Sequence, residues 1–194
     1  MRVVRPMTKL VLLALWYPFA ALASDSGDVR IEKQDRAYEI RMSFDVQANP
    51  YRVRSVITDY RNPARLSSAV REREIISQTG GVTRIGTELR GCVVFFCRTI
   101  TLVQDVTESD DSVRADVVPD GGDFRSGYLL WSIVGAEGGR SHVVFEAVME
   151  PGFFVPPIIG GFLVRSALEK HVTEIARNLA SEAALEASAA GEHE

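Results

Sequence analysis

The residues best suited to acid–base or nucleophilic chemistry are scattered along this 194-residue chain. General acid–base catalysis needs a titratable side chain within hydrogen-bond reach of a partner, and no spacing links His142 or Asp59 to one. His171, next to Val172 on the last predicted helix, is either a boundary residue or a solvated or capping histidine, and the second interpretation is favoured. The serines, Ser126 and Ser166 among them, lack the glycine pattern of a nucleophile elbow. We therefore expect no catalytic residue, and an enzyme is the less favoured interpretation.

Metal, cofactor and nucleic-acid binding are not predicted either. The three histidines, His142, His171 and His193, have no ligand-like spacing, and the two cysteines form no zinc pattern. The full chain carries a net charge of −4, and loss of the three basic residues near its start would bring this charge to about −7. Because phosphate backbones are bound by lysine and arginine, so negative a chain is a poor partner for nucleic acid.

The two cysteines, Cys92 and Cys97, are predicted to form a disulfide. Five residue steps of straight strand span roughly 16 Å, whereas a disulfide needs Cα atoms within about 4.4–6.8 Å. The bond therefore requires a chain reversal, and we interpret Val93–Phe96 as a four-residue hairpin loop. The alternative is one long bent strand over residues 82–107 with two buried thiols. If the loop exists, it displays four large apolar side chains where polar or glycine-rich turns are usual.

The first residues have the pattern of a secretory signal peptide. Three basic residues precede an apolar run from Leu10 to Ala23, which ends in Ala-Leu-Ala. Spanning a bilayer takes roughly 20 residues, so an uncleaved anchor is the less favoured alternative. We expect a signal peptide over residues 1–23, cleavage after Ala23 and export to the periplasm. One domain over residues 24–185 and a disordered tail over residues 186–194 would follow.

The elements that must position these residues begin with a strand. Residues 38–46 alternate apolar and polar side chains, which predicts that the strand is half-buried. Asn49 and Pro50 suit the first positions of a helix, and a second short helix is predicted around residues 64–69. Six more strands lie between turn signals, near residues 70–78, 82–92, 97–107, 112–118, 126–135 and 140–149. The apolar stripe of a long C-terminal helix follows, comprising Val164, Leu168, Val172, Ile175 and Leu179.

This order of elements resembles the helix-grip fold of the START and polyketide-cyclase superfamily (SRPBCC), and within it the polyketide cyclase/dehydrase and coenzyme Q-binding-like group. The resemblance covers about residues 28–185. It rests on Val-Gln-Ala-Asn-Pro-Tyr at 46–51, Thr-Asp-Tyr at 58–60 and Pro-Gly-Phe-Phe-Val-Pro-Pro at 151–157. It implies an α+β fold in which a seven-stranded curved antiparallel sheet wraps around the long C-terminal helix, with two short helices after the first strand. It also implies a cavity for a lipid, sterol, quinone, hormone or polyketide.

By the same resemblance, three loops surround the entrance of this cavity: Val93–Phe96, Pro119–Phe124 and Pro151–Pro157. The candidate ligand-binding residues are Val93, Phe95, Phe96, Phe124, Phe153, Phe154, Val155, Phe162, Val164 and Leu168. Transient contact of this apolar rim with a membrane during loading and release is a further expectation. The alternative is that the phenylalanines pack on one another and close the cup.

The sequence therefore predicts binding or transport of a hydrophobic small molecule in the periplasm, without a cofactor. Two other functions stay open. One is a polyketide cyclase or aromatase activity, for which polar side chains would have to face the cavity; Arg98, Arg125 and Glu146 are candidates, although outward-facing charges are the commoner outcome. The other is an interaction module whose apolar rim binds another envelope protein.

Overall fold

The computed structural model of the chain describes residues 29–93, 96–155 and 162–191. The predicted signal peptide, its cleavage site and two residues of the predicted hairpin loop, Val94 and Phe95, lie outside these ranges. The described residues form one eight-stranded antiparallel sheet, a short helix after the second strand and a long C-terminal helix. The predicted α+β helix-grip architecture is therefore confirmed.

The elements follow in the order β1 (Val29–Gln34), β2 (Ala37–Val46), α1 (Pro50–Ile57), a 3-10 helix (Pro63–Arg65), β3 (Val70–Thr79), β4 (Val82–Val93), β5 (Phe96–Glu108), β6 (Ser112–Val117), β7 (Phe124–Ala136), β8 (Arg140–Pro151) and α2 (Phe162–Gly191). Their order in the sheet is β1-β2-β8-β7-β6-β5-β4-β3. The prediction counted seven strands, and the eighth is β1, which pairs with β2 across a tight turn. Asp35 adopts φ 51° in this turn, a conformation that aspartate tolerates better than most residues.

α1 begins where the sequence indicates. The Asn49 side chain accepts a hydrogen bond from the Arg52 backbone N–H at 3.0 Å, and Pro50 occupies the first turn. The second predicted helix, around residues 64–69, is wrong in extent, because only the 3-10 turn Pro63–Arg65 forms. Local side-chain bonding competes with helix formation here, since the Ser67 hydroxyl accepts the Ala69 N–H at 3.2 Å.

The core lies between the inner face of the sheet and α2. Alternate residues of β2 face inward and are buried: Tyr38, Ile40, Met42, Phe44 and Val46. β7 and β8 continue this surface, where the Trp131 and Phe145 rings lie 4.4 Å apart. α2 covers it with the buried residues Val172, Leu179 and Ala183. Each large apolar side chain contributes on the order of 1.5–3 kcal/mol when buried, so these contacts hold the helix on the sheet.

Burial along α2 is uneven. Val172 is buried, whereas every side chain from Val164 to His171 is exposed or half-buried. Val164 and Leu168 belong to the predicted apolar stripe, yet both are only half-buried. The helix continues to Gly191, where the sequence favoured a disordered tail from residue 186. The alanines and glutamates of this segment are strong helix formers, which accounts for the difference.

β4 and β5 form the hairpin that the cysteine spacing predicts. Cys92 and Cys97 are direct cross-strand neighbours joined by a disulfide, so the alternative of one long bent strand with two thiols is wrong. The loop is shorter than the predicted four residues, because Val93 and Phe96 form a further cross-strand pair. Both cysteines are exposed, on the face opposite to the buried Leu102.

Candidate functional site

A cleft opens at the end of the sheet where β1 turns into β2 and where β8 ends. Its volume is about 380 Å³, which is within the range of small-molecule sites. Apolar side chains after β8 and basic side chains from β1, its turn and β7 line it together. These lining residues include Lys33, Arg36, Tyr38, Arg125, Phe153, Phe154 and Val155.

Tyr38 connects the cleft with the interior of the cup. This residue is buried and shares the inward-facing parity of Ile40 and Met42 on β2. The Lys33 ammonium lies 5.8 Å from the centroid of the Tyr38 ring. Burial raises the pKa of the Tyr38 hydroxyl. The cleft therefore reaches from solvent to the start of the inner face.

Two of the predicted ligand-binding phenylalanines, Phe124 and Phe153, contact each other edge to face, with ring centroids 6.1 Å apart. The Arg98 guanidinium lies 4.5 Å from the centroid of the Phe153 ring. The same guanidinium donates a hydrogen bond to Asp123 Oδ1 at 2.7 Å. Phe124 and Phe153 thus pack on each other, as in the alternative in which the phenylalanines close the cup. Phe154, in contrast, is 80% exposed.

Hydrogen bonds around Asp123 join three of the segments at this end of the sheet. The Asp123 N–H donates to the Thr101 carbonyl of β5, and the Thr101 N–H donates to Asp123 Oδ2, both at 2.8 Å. After β8, the Gly152 N–H donates to the Asp123 carbonyl at 2.7 Å. The Thr101 N–H and the Arg98 guanidinium hold the pKa of the Asp123 carboxyl below its usual range. The carboxylate is thus charged at neutral pH and fixes the β6–β7 loop in place.

The structure places the predicted ligand-binding residues in three regions. Four lie at the rim: Phe124, Phe153, Phe154 and Val155. Two are half-buried on α2: Val164 and Leu168. For three, the structure gives the backbone position alone: Val93 and Phe96 form a cross-strand pair, and Phe162 is the first residue of α2. Phe95 lies outside the described ranges, and contact of any of these residues with a ligand stays a prediction.

Sequence reasoning missed the basic residues of the rim, Lys33 and Arg36. The polar run Gln34-Asp35-Arg36 is recognisable as a turn between Lys33 and the long strand, but nothing in it indicates its neighbours in space. The turn lies beside Phe153 because β2 pairs with β8, with Tyr38 opposite Met149. This pairing joins the two ends of the domain, and it follows from the complete sheet rather than from a local pattern.

A group of polar side chains, the inner polar cluster, occupies the inner face at β3, β4 and β5. Arg73 Nε donates to Thr87 Oγ1 at 3.2 Å. Thr87 and Gln104 are buried, and Gln104 Nε2 has no hydrogen-bond partner among the described residues. At the same face, the Tyr60 hydroxyl donates to Glu108 Oε1 at 2.8 Å. Burial and the Glu108 carboxylate raise the pKa of Tyr60, so this hydroxyl is a neutral donor at physiological pH.

His171 makes a second polar contact, between α2 and the segment before β3. Its Nε2 atom lies 3.2 Å from the hydroxyl oxygen of the buried Ser67. The histidine is half-buried, as a boundary residue would be, so the favoured interpretation of a solvated histidine is wrong. The residue lies on the side of α2 that faces the Ser67 segment, which the helical periodicity alone does not identify.

Protonation of His171 is expected to lower the free energy of unfolding as the pH drops below 6.5. Burial lowers the folded-state pKa of this imidazole from 6.5, and the Glu174 carboxylate counteracts burial only in part. The unfolded chain therefore binds the proton first. The contribution of the neutral imidazole to the free energy of unfolding is full above the unfolded pKa and is lost as the pH falls toward the folded pKa.

Urea unfolding between neutral pH and pH values near the folded pKa measures this effect. The His171→Gln variant should show a shallower loss of stability with falling pH than the wild type. The matched control is His142→Gln, at an exposed histidine paired with Asp45. Equal pH slopes in the wild type and the His171→Gln variant would contradict the assignment.

The other candidate catalytic residues lie apart from one another. His142 Nδ1 is 2.8 Å from Asp45 Oδ1 at the surface, and the Ser126 hydroxyl donates to Glu150 at 3.2 Å. Within the described ranges, no three histidine, cysteine, aspartate or glutamate side chains gather closely enough to hold a metal ion. In the same part of the chain, no helix has the length and apolar character needed to cross a membrane.

Comparison with known proteins gives both a sequence match and a fold match. The profile of the family described as polyketide cyclase / dehydrase and lipid transport matches residues 37–184. No curated protein is significantly similar to the chain. Among solved structures, the Zhui aromatase/cyclase from Streptomyces sp. R1128 matches with a TM-score of 0.66 and 13% identity, over 80% of this chain and 98% of that one.

Two further structures have the same fold. A STAR-related lipid transfer protein from Xanthomonas axonopodis matches with a TM-score of 0.57 and 14% identity, over 82% of this chain and 99% of its own. A START superfamily protein from Mycobacterium smegmatis matches with a TM-score of 0.61 and 13% identity, over 76% of this chain and 97% of its own. At such low identities these likenesses show the fold alone.

Proposed function

Because the chain belongs to the polyketide cyclase / dehydrase and lipid transport family, we propose that it binds and carries a hydrophobic small molecule between its sheet and its C-terminal helix. The observation that carries the proposal is the cleft beside Phe153 and Phe154, which reaches the inner face at Tyr38. Burial of apolar ligand surface there is worth about 25 cal/mol per Å². The affinity would therefore come mainly from shape and apolar contact.

The first turns of α2 support this proposal. Val164 and Leu168 lie on the apolar stripe of the helix but are only half-buried, whereas Val172 and Leu179 on the same stripe are buried. A ligand under these turns would remove the remaining apolar surface of Val164 and Leu168 from water. Leu168 already packs in part against the hydrophobic core, and ligand binding would add to this packing.

Two features support a periplasmic location for this activity. The basic and apolar pattern of residues 1–23 is that of a signal peptide. The disulfide between Cys92 and Cys97 is of a kind that persists in oxidising compartments. The proposal is therefore a carrier that moves its ligand through the aqueous periplasm.

The test is native mass spectrometry of the full chain produced with its first 23 residues and purified from periplasmic extract. We expect recovery in that fraction, a mass that fits cleavage after Ala23, and an apolar molecule that is released by organic solvent. An empty protein that co-purifies with another envelope protein would favour the interaction module instead. Recovery in the cytoplasm alone would contradict the proposed location.

We also propose that the rim of the cleft docks transiently on an anionic membrane. Phe154 is 80% exposed, and the basic residues Lys33, Arg36 and Arg125 line the cleft beside it. Asp35 is the acidic residue of this lining, so the cleft is net positive although the chain as a whole carries −4. An exposed aromatic side chain beside a net positive cleft is suited to insertion among anionic lipid headgroups.

Substitution of Phe154 by aspartate is expected to weaken this docking about tenfold or more, because a phenylalanine side chain gains on the order of 1.5–3 kcal/mol on transfer from water. Co-sedimentation with vesicles of equal parts phosphatidylcholine and phosphatidylglycerol measures the binding. Tyr51→Asp is the matched control, since Tyr51 is 70% exposed on α1, away from the cleft. Equal binding of the wild type and the Phe154→Asp variant would contradict membrane docking.

A second candidate function is cyclisation of a polyketide chain. The observation that favours it is the inner polar cluster, in which the Arg73 guanidinium could polarise a substrate carbonyl. The neutral Tyr60 hydroxyl would join it when a substrate carbonyl replaces Glu108 as the acceptor of its proton. Incubation with a linear poly-β-ketone, followed by product analysis, tests this activity. Accelerated ring closure that is lost in the Tyr60→Phe variant would support an enzyme, and an unchanged product distribution would support the carrier.

A further inference from the structure

We propose that Gln104 and Arg73 form an oxygen-binding site inside the cup, and that the ligand is an apolar molecule with a carbonyl or carboxylate group. This inference rests on the proposed carrier function and defines its ligand class. The observation behind it is Gln104 Nε2, a buried donor without a hydrogen-bond partner among the described residues. The side chain is 5% exposed, so solvent does not satisfy the donor.

The register of the sheet places Gln104 on the inner face. Its direct neighbours across β5 are Ile85 on β4 and Val117 on β6, both buried. Leu102 and Val106, two residues before and after it, are buried with the same parity. Gln104 is therefore a buried polar residue of the inner face, and its direct neighbours along and across the strands are apolar.

Arg73 is the charged member of the site. It lies opposite Thr87 in the pairing of β3 and β4, and Thr87 is a diagonal neighbour of Gln104 across β4 and β5. Diagonal neighbours in a sheet are within reach of long side chains. Within the described ranges, Arg73 has no carboxylate partner in a salt bridge; its Nε donates to the Thr87 hydroxyl.

The Arg73 guanidinium and the Gln104 amide nitrogen are both hydrogen-bond donors, so they favour a ligand that has an acceptor. A guanidinium only donates, and an amide nitrogen only donates. A buried donor left without a partner is unfavourable, and a ligand oxygen would remove this penalty while an aliphatic group would not. The site thus favours ligands with a carbonyl or carboxylate oxygen over hydrocarbons of the same shape. A carbonyl and a carboxylate both present an acceptor oxygen, and the titrations described next distinguish them.

Three naphthalene compounds of similar size distinguish these classes by isothermal titration calorimetry. 2-Methylnaphthalene has no acceptor, 2-methyl-1,4-naphthoquinone has two carbonyl groups, and 2-naphthoic acid has a carboxylate. The quinone is usable because both cysteines of the chain are in a disulfide, so no thiol adds to it. We expect the quinone or the acid to bind about tenfold or more tightly than 2-methylnaphthalene. Preference for the acid identifies a carboxylate ligand, and preference for the quinone identifies a carbonyl ligand.

The Gln104→Leu variant should lose this preference while its affinity for 2-methylnaphthalene stays within about twofold of the wild type. The ligand-free variant should also unfold at a temperature about 2–4 °C higher, because a buried donor without a partner has been removed. Gln78→Leu, at an exposed residue of β3, is the matched control and should change neither quantity.

The possible outcomes separate this inference from the function on which it rests. Equal affinities for the three compounds, or a preference that survives in the Gln104→Leu variant, would overturn the oxygen-binding site and leave the carrier function intact. If none of the three compounds binds the wild type while the protein remains folded, both the carrier function and this inference fail. A lower unfolding temperature of Gln104→Leu would show that the amide already has a partner and would also overturn the site.

Discussion

Replacement of Gly127 by alanine is expected to destabilise the protein by about 3 kcal/mol or more. Gly127 adopts φ +144°, a conformation that residues with a side chain rarely enter. A Cβ atom at this position would also meet the backbone carbonyl oxygen of Val148 and would lie 3.0 Å from Met149 Cα. Both contacts are with the backbone of the central strand β8, which cannot move aside without disturbing its hydrogen bonds.

Urea unfolding of Gly127→Ala and of the control Gly91→Ala measures this difference. At Gly91 the nearest neighbour of an added Cβ is the Ile100 side chain at 3.5 Å, an ordinary contact. The control is expected to change the free energy of unfolding by no more than about 0.5 kcal/mol. Equal stabilities of the two variants would contradict the role of Gly127.

The position of Gly127 also connects stability with the candidate site. The pairing of β7 with β8 is irregular between Phe124 and Ser126, just before this glycine, and such bulges bend a strand. Phe124 begins the bent segment and there contacts Phe153 at the rim of the cleft. A substitution that forces β7 away from β8 is therefore expected to disturb the rim as well as the core.

Most of the fold could be predicted from the sequence because its signals are local. The alternation of residues 38–46 and the glycine-containing turns set the strands to within a few residues of their observed bounds. The cysteine spacing predicted the β4–β5 hairpin from covalent geometry alone. β1 was not counted among the seven predicted strands, because its six residues contain only two apolar side chains and give too short an alternation.

The candidate site could be predicted only in part because its members come from distant segments. The apolar segment Phe153–Val155 was recognisable as an unusual run, while Lys33 joins it only through the pairing of β2 with β8. Gln104 did leave a signal in the sequence: it interrupts the apolar alternation of Leu102 and Val106 at an inward-facing position. A polar residue at such a position could have indicated a site before the structure was known.

Truncation of Leu179 to alanine is expected to destabilise the protein by about 2–5 kcal/mol, the usual effect of emptying a fully buried leucine site. Leu179 is 0% exposed in the core between α2 and the sheet. Alanine is at least as good a helix former as leucine, so the loss reports packing rather than helix propensity. Leu185→Ala on the same helix is the matched control, because Leu185 is 61% exposed and its loss should stay within about 0.5 kcal/mol. Urea unfolding of the two variants measures this difference, and equal effects would mean that the helix is held on the sheet by something other than the buried residues of its later turns.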